Sequence, residues 1–166
     1  MQAVDEAVRL IRNNFNSSEY SLDGHYSDEE VESAEKILNI KFPKSYREFL
    51  KKYGNVDVGS LSVMGLSRYN YQNSGYGGLV SCTLSDRQNF SQPNHIISLY
   101  DIGEGTTYAL DLSQMNENNE CPVVYWPIGG YEMTPILEVV APDFGTWFLD
   151  MVKERIKWKQ EESLIS

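Results

Sequence analysis

The stretch HIISLYDIGEGTTYALDL, residues 95–112, decides the fold. Two alternating apolar runs, IISLY and TYALDL, flank the acidic, glycine-bearing segment Asp101–Gly105. A period of two puts successive side chains on opposite faces, so the pair reads as an antiparallel hairpin with the glycines in its turn. The same loop must be tested as a site. A phosphate cradle needs a helix start behind the glycines and usually a lysine. Here a strand-like TTYALDL follows and no lysine is near. A calcium loop needs acids at alternate positions ending in Glu, which Asp101 and Glu104 do not supply. Paired carboxylates for proton transfer need a pocket, and hairpin tips are solvated. The loop is a turn first and a partner-contact turn second.

Working outward, VDVGSLSVMGL reads as one or two strands, PVVYWPI as another, and ILEVV as an edge strand or helix approach. LVSCTL is a strand end or helix entry, and SDRQNF a helical turn. SQMNENNEC is a turn-rich connector. Helices occupy the two ends. Gln2–Asn13 places Val4, Ala7, Val8 and Ile11 on one face. NNFNSSEYSLDGHY then reads as a loop. Ser27 with Glu30 forms a capping box opening a second helix, whose expected buried stripe is Val31, Ala34, Ile37 and Leu38. Pro43 opens a third helix bearing Tyr46, Phe49, Leu50 and Tyr53, closed by Gly54. The last helix spans about 142–159, with Phe144, Trp147, Phe148, Met151, Val152 and Ile156 inward and a short tail beyond. The expectation is one α+β domain over residues 1–166, with its core at 27–158: a mainly antiparallel sheet with N-terminal helices and a C-terminal helix packed on it.

Charge is unevenly distributed. The net charge is −10. From Gln88 to Val152 there is no Lys or Arg, while nine acids occur: Asp101, Glu104, Asp111, Glu117, Glu120, Glu132, Glu138, Asp143 and Asp150. A surface built from this block repels nucleic acid and anionic membrane and attracts a basic partner. Its other reading is solubility alone. No secretory leader is expected at MQAVDEAVRLIRNNF, and no apolar run approaches the ~18 residues of a membrane span. The two cysteines, Cys82 and Cys121, are expected as reduced core residues. These features suit the cytoplasm.

No catalytic set emerges. His25 and His95 have no ligand-spaced His or Cys, so neither a metal site nor a cofactor is expected. No nucleophile elbow is present. YNYQNSGYGG carries Tyr69, Tyr71 and Tyr76, and YWPIGGY carries Tyr131. Exposed tyrosines offer large contact area at low entropy cost, which suits protein recognition. The alternative is rings folded back onto the sheet.

SDEEVESAEKILNIKFPKSYREFLKKYGN, residues 27–55, closely resembles the N-terminal signature of the SUKH superfamily. IISLYDIGEGTTYALDL resembles its second signature, and APDFGTWFLDMV its last helix. The N-terminal helix and the tail lie outside the resemblance. Pro43, Tyr46, Phe49, Gly54, Gly105 and Asp111 match the signature and are assigned to the fold. The resemblance implies helices packed on a mainly antiparallel sheet and no enzyme activity. It implies an immunity protein that neutralises a cognate secreted polymorphic toxin, similar to those paired with LXG-type toxins carrying nuclease domains. Toxin-binding residues do not transfer by motif. The candidate partner-binding surface is therefore taken from charge and aromatic content: Asp101, Glu104, Glu117, Glu120 and Glu132, with Tyr69, Tyr71, Tyr76 and Tyr131. The alternative is a regulatory interaction module whose partner is not a toxin, in keeping with a eukaryotic branch that resembles regulators of cell-wall synthesis. An enzyme is the third reading.

Overall fold

In the computed structural model the described residues are 2–66, 78–103, 105–128 and 137–165. Among these residues five α-helices and seven strands form one α+β unit. Helix α1 is Gln2–Asn14, α2 Asp28–Leu38, α3 Lys44–Tyr53, α4 Leu79–Phe90 and α5 Phe144–Ile165. Strands β1 (Tyr20–Leu22), β2 (Val56–Val58) and β3 (Leu61–Val63) make one antiparallel sheet. Strands β4 (Ile96–Gly103), β5 (Thr106–Asp111), β6 (Val123–Pro127) and β7 (Val139–Ala141) make a second, in that order. The two sheets meet where Met64 N–H donates to the Leu99 carbonyl at 2.8 Å. The pairing register shifts between Ser98 and Tyr100, so Leu99 bulges and its carbonyl is offered to the neighbour.

The helices form for the reasons their sequences give. Ser27 and Glu30 make the reciprocal capping box of α2. The buried stripe of α2 is Val31, Ala34, Glu35 and Leu38, positions i, i+3, i+4 and i+7. Ile37 falls off this stripe and is 45% exposed, against expectation. Glu35 occupies the inner position instead. On α3, Tyr46 and Phe49 enter an aromatic cluster with Phe144 and Phe148 of α5. Gly54 closes α3 at φ 69, and its backbone lies directly against Gly65, which has no room for a β-carbon. Beyond Lys159, where a tail was expected, α5 continues to Ile165.

Three local expectations change, and one open alternative is settled. The loop before α2 contains β1, which pairs with β2. LVSCTL and SDRQNF are one helix, α4, whose only buried residues are Leu79 and Thr83. Cys121 is buried as expected, but Cys82 is half-buried, and neither is in a disulfide. ILEVV resolves as the edge strand β7.

The second sheet has two covered faces. Ile97, Leu99, Leu110 and Val123 belong to the main core with α1, α3 and α5. Ile96, Ala109, Val124 and Trp126 form a smaller cluster on the other face. Among the described residues no helix is long and apolar enough to cross a membrane.

Candidate functional site

The β4–β5 hairpin tip is built as its glycines require. Gly103 and Gly105 have φ 92 and 76, a region that residues with a β-carbon rarely enter. Asp101 pairs across to Thr107, and its carboxylate accepts from the Gly103 N–H at 2.8 Å. The Asp101 side chain is exposed, as is Ile102 beside it.

This end of the second sheet presents two different faces. Toward α5 runs a row of tyrosines in direct cross-strand register, Tyr100, Tyr108 and Tyr125. Their ring centroids are 6.2 and 5.0 Å apart, and the Tyr108 and Tyr125 hydroxyls share a hydrogen bond of 3.2 Å. Burial and the Tyr125 hydroxyl hold Tyr108 above the usual phenol range. All three rings are half-buried, so each leaves an edge in solvent.

On the opposite face, α4 and the strands enclose a cleft of about 570 Å³. Met64, Phe90 and Ile128 supply apolar wall; Asp86, Ser98 and Asp101 supply polar atoms. Asp86 sits on α4, one turn before Phe90. Burial holds its carboxyl above the usual range; a 3.5 Å hydrogen bond from the Ser98 hydroxyl opposes this, and the negative Asp101 adds a smaller upward push. Among the described residues no Lys, Arg or His forms an ion pair with Asp86 or Asp101. The neighbouring Arg87 turns away, donating to the Leu38 and Asn94 carbonyls. Among the described residues the cleft is acidic and holds no cation.

The other expected residues are not gathered here. Glu117 and Glu120 lie in the β5–β6 connector, at the far end of β5, roughly 17 Å of strand away. Glu117 is exposed. Glu120 is committed to the fold. Its carboxylate accepts from Ser45 N–H at 2.9 Å and Ser45 Oγ at 2.6 Å, and the Asn119 carbonyl accepts from Lys44 N–H. Pro43 has no side-chain cap to offer, so the connector caps α3 from outside. Glu120→Ala is expected to cost about 1–2 kcal/mol, read as a lower urea midpoint with unchanged slope. Asp111 and Asp143 are likewise spent on local caps, at Ser113 and Thr146. Glu104, Glu132, Tyr69, Tyr71, Tyr76 and Tyr131 lie outside the described residues.

Sequence reasoning missed Asp86 and the row Tyr100, Tyr108 and Tyr125. The tyrosines could have been found from their alternation in IISLY, TYALDL and PVVYW. Asp86 could not, because α4 has no apolar stripe to set its facing. Among the described residues no three His, Cys, Asp or Glu side chains converge as a metal site would.

A crystal structure of a protein from Pseudomonas syringae pv. tomato shares this fold at a TM-score of 0.55. It is 17% identical, and the match covers 80% of this chain and 89% of that one. The SUKH family model described as SMI1-KNR4 cell-wall matches residues 4–153. That match includes nearly all of α1, which the motifs alone had left outside. With the fold and nine-tenths of its length matched, this chain belongs to the SUKH family.

Proposed function

We propose that this protein is an immunity protein. It binds a cognate secreted toxin in the cytoplasm and covers the basic surface with which that toxin grips its substrate. The toxin class we favour is LXG-type with a nuclease domain. Nucleases need positive surface, since phosphate contacts supply most of their affinity. The carrying observation is the acidic cleft at the hairpin end, with Asp86 and Asp101 unpaired by any described cation. Asp101 belongs to a block free of Lys and Arg over 65 residues, Gln88 to Val152. Exposed tyrosine edges at the same end of the sheet, on its other face, suit a protein partner. In this reading the chain catalyses nothing and carries no cofactor.

The test is co-expression with the product of the adjacent gene as the candidate toxin, followed by pull-down and growth rescue. Rescue with a stable complex supports the reading; capture without rescue, or neither, removes it. Charge reversal at Asp101 and Glu104 together should slow association at low salt about tenfold or more and flatten its salt dependence. Reversal of Glu117, at the far end, serves as the comparison and should change little. The family description, SMI1-KNR4 cell-wall, favours a second reading. In it the chain is a regulatory interaction module, captured by a partner that is not a toxin.

A further inference from the structure

We infer that Asp23–Gly24, between β1 and α2, is a site of spontaneous backbone modification, where the aspartate isomerises through a cyclic imide to a β-linked isoaspartate. This stands apart from the function proposed above. Of the aspartates in the chain, Asp23 alone is followed by glycine. Every other aspartate precedes a residue with a side chain and lies in, or at the start of, a helix or strand. In the reaction the next residue's amide nitrogen attacks the aspartate's own carboxyl carbon. A β-carbon on that residue crowds the attack, and a hydrogen bond from its N–H opposes it. Gly24 presents neither obstacle. Its φ of 102 belongs to glycine, and nothing lies within 4 Å of where a β-carbon would stand. Among the described residues its N–H makes no hydrogen bond. Asp23 is exposed, and no described cation pairs with it. Its carboxyl meets the Tyr26 hydroxyl at 2.9 Å, but that hydroxyl also faces the Leu66 carbonyl at 2.8 Å, so a single proton is shared between two acceptors. Rotating the carboxyl toward the Gly24 nitrogen therefore gives up only part of one hydrogen bond. Nucleophile and electrophile are neighbours in one chain, so closure needs no partner.

The Gly24 nitrogen bonds to Asp23 Cγ and gives up its proton, and a carboxyl oxygen leaves as water. Water then adds to one of the two imide carbonyls. Addition at the Asp23 main-chain carbonyl breaks the original peptide bond and leaves the chain running through Cγ; addition at Cγ restores aspartate. The mass is unchanged, and no oxidant, reductant or cofactor is consumed. The product carries one extra main-chain carbon beside Gly54, against which the Gly24 carbonyl lies. The test compares the folded full-length protein with the synthetic peptide of residues 20–29, both aged at pH 6 and 37 °C in heavy-oxygen water. Cleavage after Glu19 and Glu29 releases the same segment from the protein. The expected result is a second chromatographic peak of unchanged composition. It carries one heavy oxygen, accepts a methyl group from S-adenosylmethionine through an isoaspartyl methyltransferase, and grows at a rate within about tenfold of the free peptide's. Asp23→Ser has no carboxyl to attack but keeps an acceptor for Tyr26, and it should lose the peak altogether. Growth more than tenfold slower than in the peptide would mean that the fold protects the site and would overturn the inference. So would a peak that persists in Asp23→Ser or that lacks the heavy oxygen.

Discussion

Phe49→Ala is expected to destabilise the fold by about 3–5 kcal/mol, the usual range for a fully buried phenylalanine. Phe49 has no exposed surface. Its ring centroid lies 5.8 Å from Tyr46, 4.9 Å from Phe144 and 5.4 Å from Phe148. It is thus the point where α3 is fastened to α5. Truncation removes transfer free energy and leaves a cavity walled by rings that cannot collapse into it without abandoning their own contacts. At about 2–4 °C per kcal/mol for a chain of this size, the melting temperature should fall by some 6–20 °C. Phe49→Leu keeps much of the volume and should cost clearly less. A calorimetric or urea measurement placing Phe49→Ala within 1 kcal/mol of the parent would mean that the aromatic cluster does not join these helices.

The aromatic cluster was legible because its residues recur at helical spacing within α3 and α5, and a local period needs no partner to be seen. The capping box at Ser27 and the turn glycines of the hairpin were legible for the same reason: each is a device of three or four neighbouring residues. What escaped is what the chain brings together over distance. Strand β1 has three residues and exists by pairing with β2, 36 residues on. Helix α4 buries only Leu79 and Thr83, so periodicity could not separate it from a strand followed by a turn. Glu120 reads as one more acid of a charged block, yet it caps a helix at Ser45, 75 residues earlier in sequence.

That last case bears on the charge argument. Of the nine acids between Gln88 and Val152, Asp111, Glu120 and Asp143 are used up in satisfying backbone N–H groups. The formal charge remains, but these carboxylates are positioned by the fold and are not available to move toward a partner. Asp101 also caps, at its own turn, yet stays exposed at the rim of the cleft. On the proposed function, the acids left for a partner are those of the hairpin end, where Asp86, from outside the block, lines the cleft with Asp101.

Glu35→Ala is expected to cost about 3 kcal/mol, although this residue sits in a helix that looks ordinary in sequence. Its side chain is 2% exposed. One carboxylate oxygen accepts from the Phe42 N–H at 3.0 Å; the other meets Lys41 Nζ at 2.7 Å and Arg47 Nη1 at 3.1 Å. Glu35 thus ties α2 to the chain entering α3 and to α3 itself. Removal leaves the buried Phe42 N–H without this acceptor and one arm of Arg47 without its anion, although Asp28 still holds Arg47 at 2.9 Å. Burial alone would raise the Glu35 pKa, but Lys41, the Phe42 N–H and Arg47 together bring it below the usual value. A folded pKa below the unfolded one stabilises at every pH above the unfolded value, about 4.3, and the gain is lost as pH falls through the folded pKa. Asp28, whose carboxyl is lowered by Arg47 and Lys51, contributes in the same window, and Glu32 approaches Arg47 at 3.7 Å. Glu35→Gln, which keeps the shape and an acceptor for Phe42, separates the charge from the hydrogen bond. The gap between parent and Glu35→Gln should be widest near pH 7 and close progressively below pH ~4. A gap that stays constant across that range would mean the carboxylate acts through packing, and that its ionic contacts with Lys41 and Arg47 add nothing to the fold.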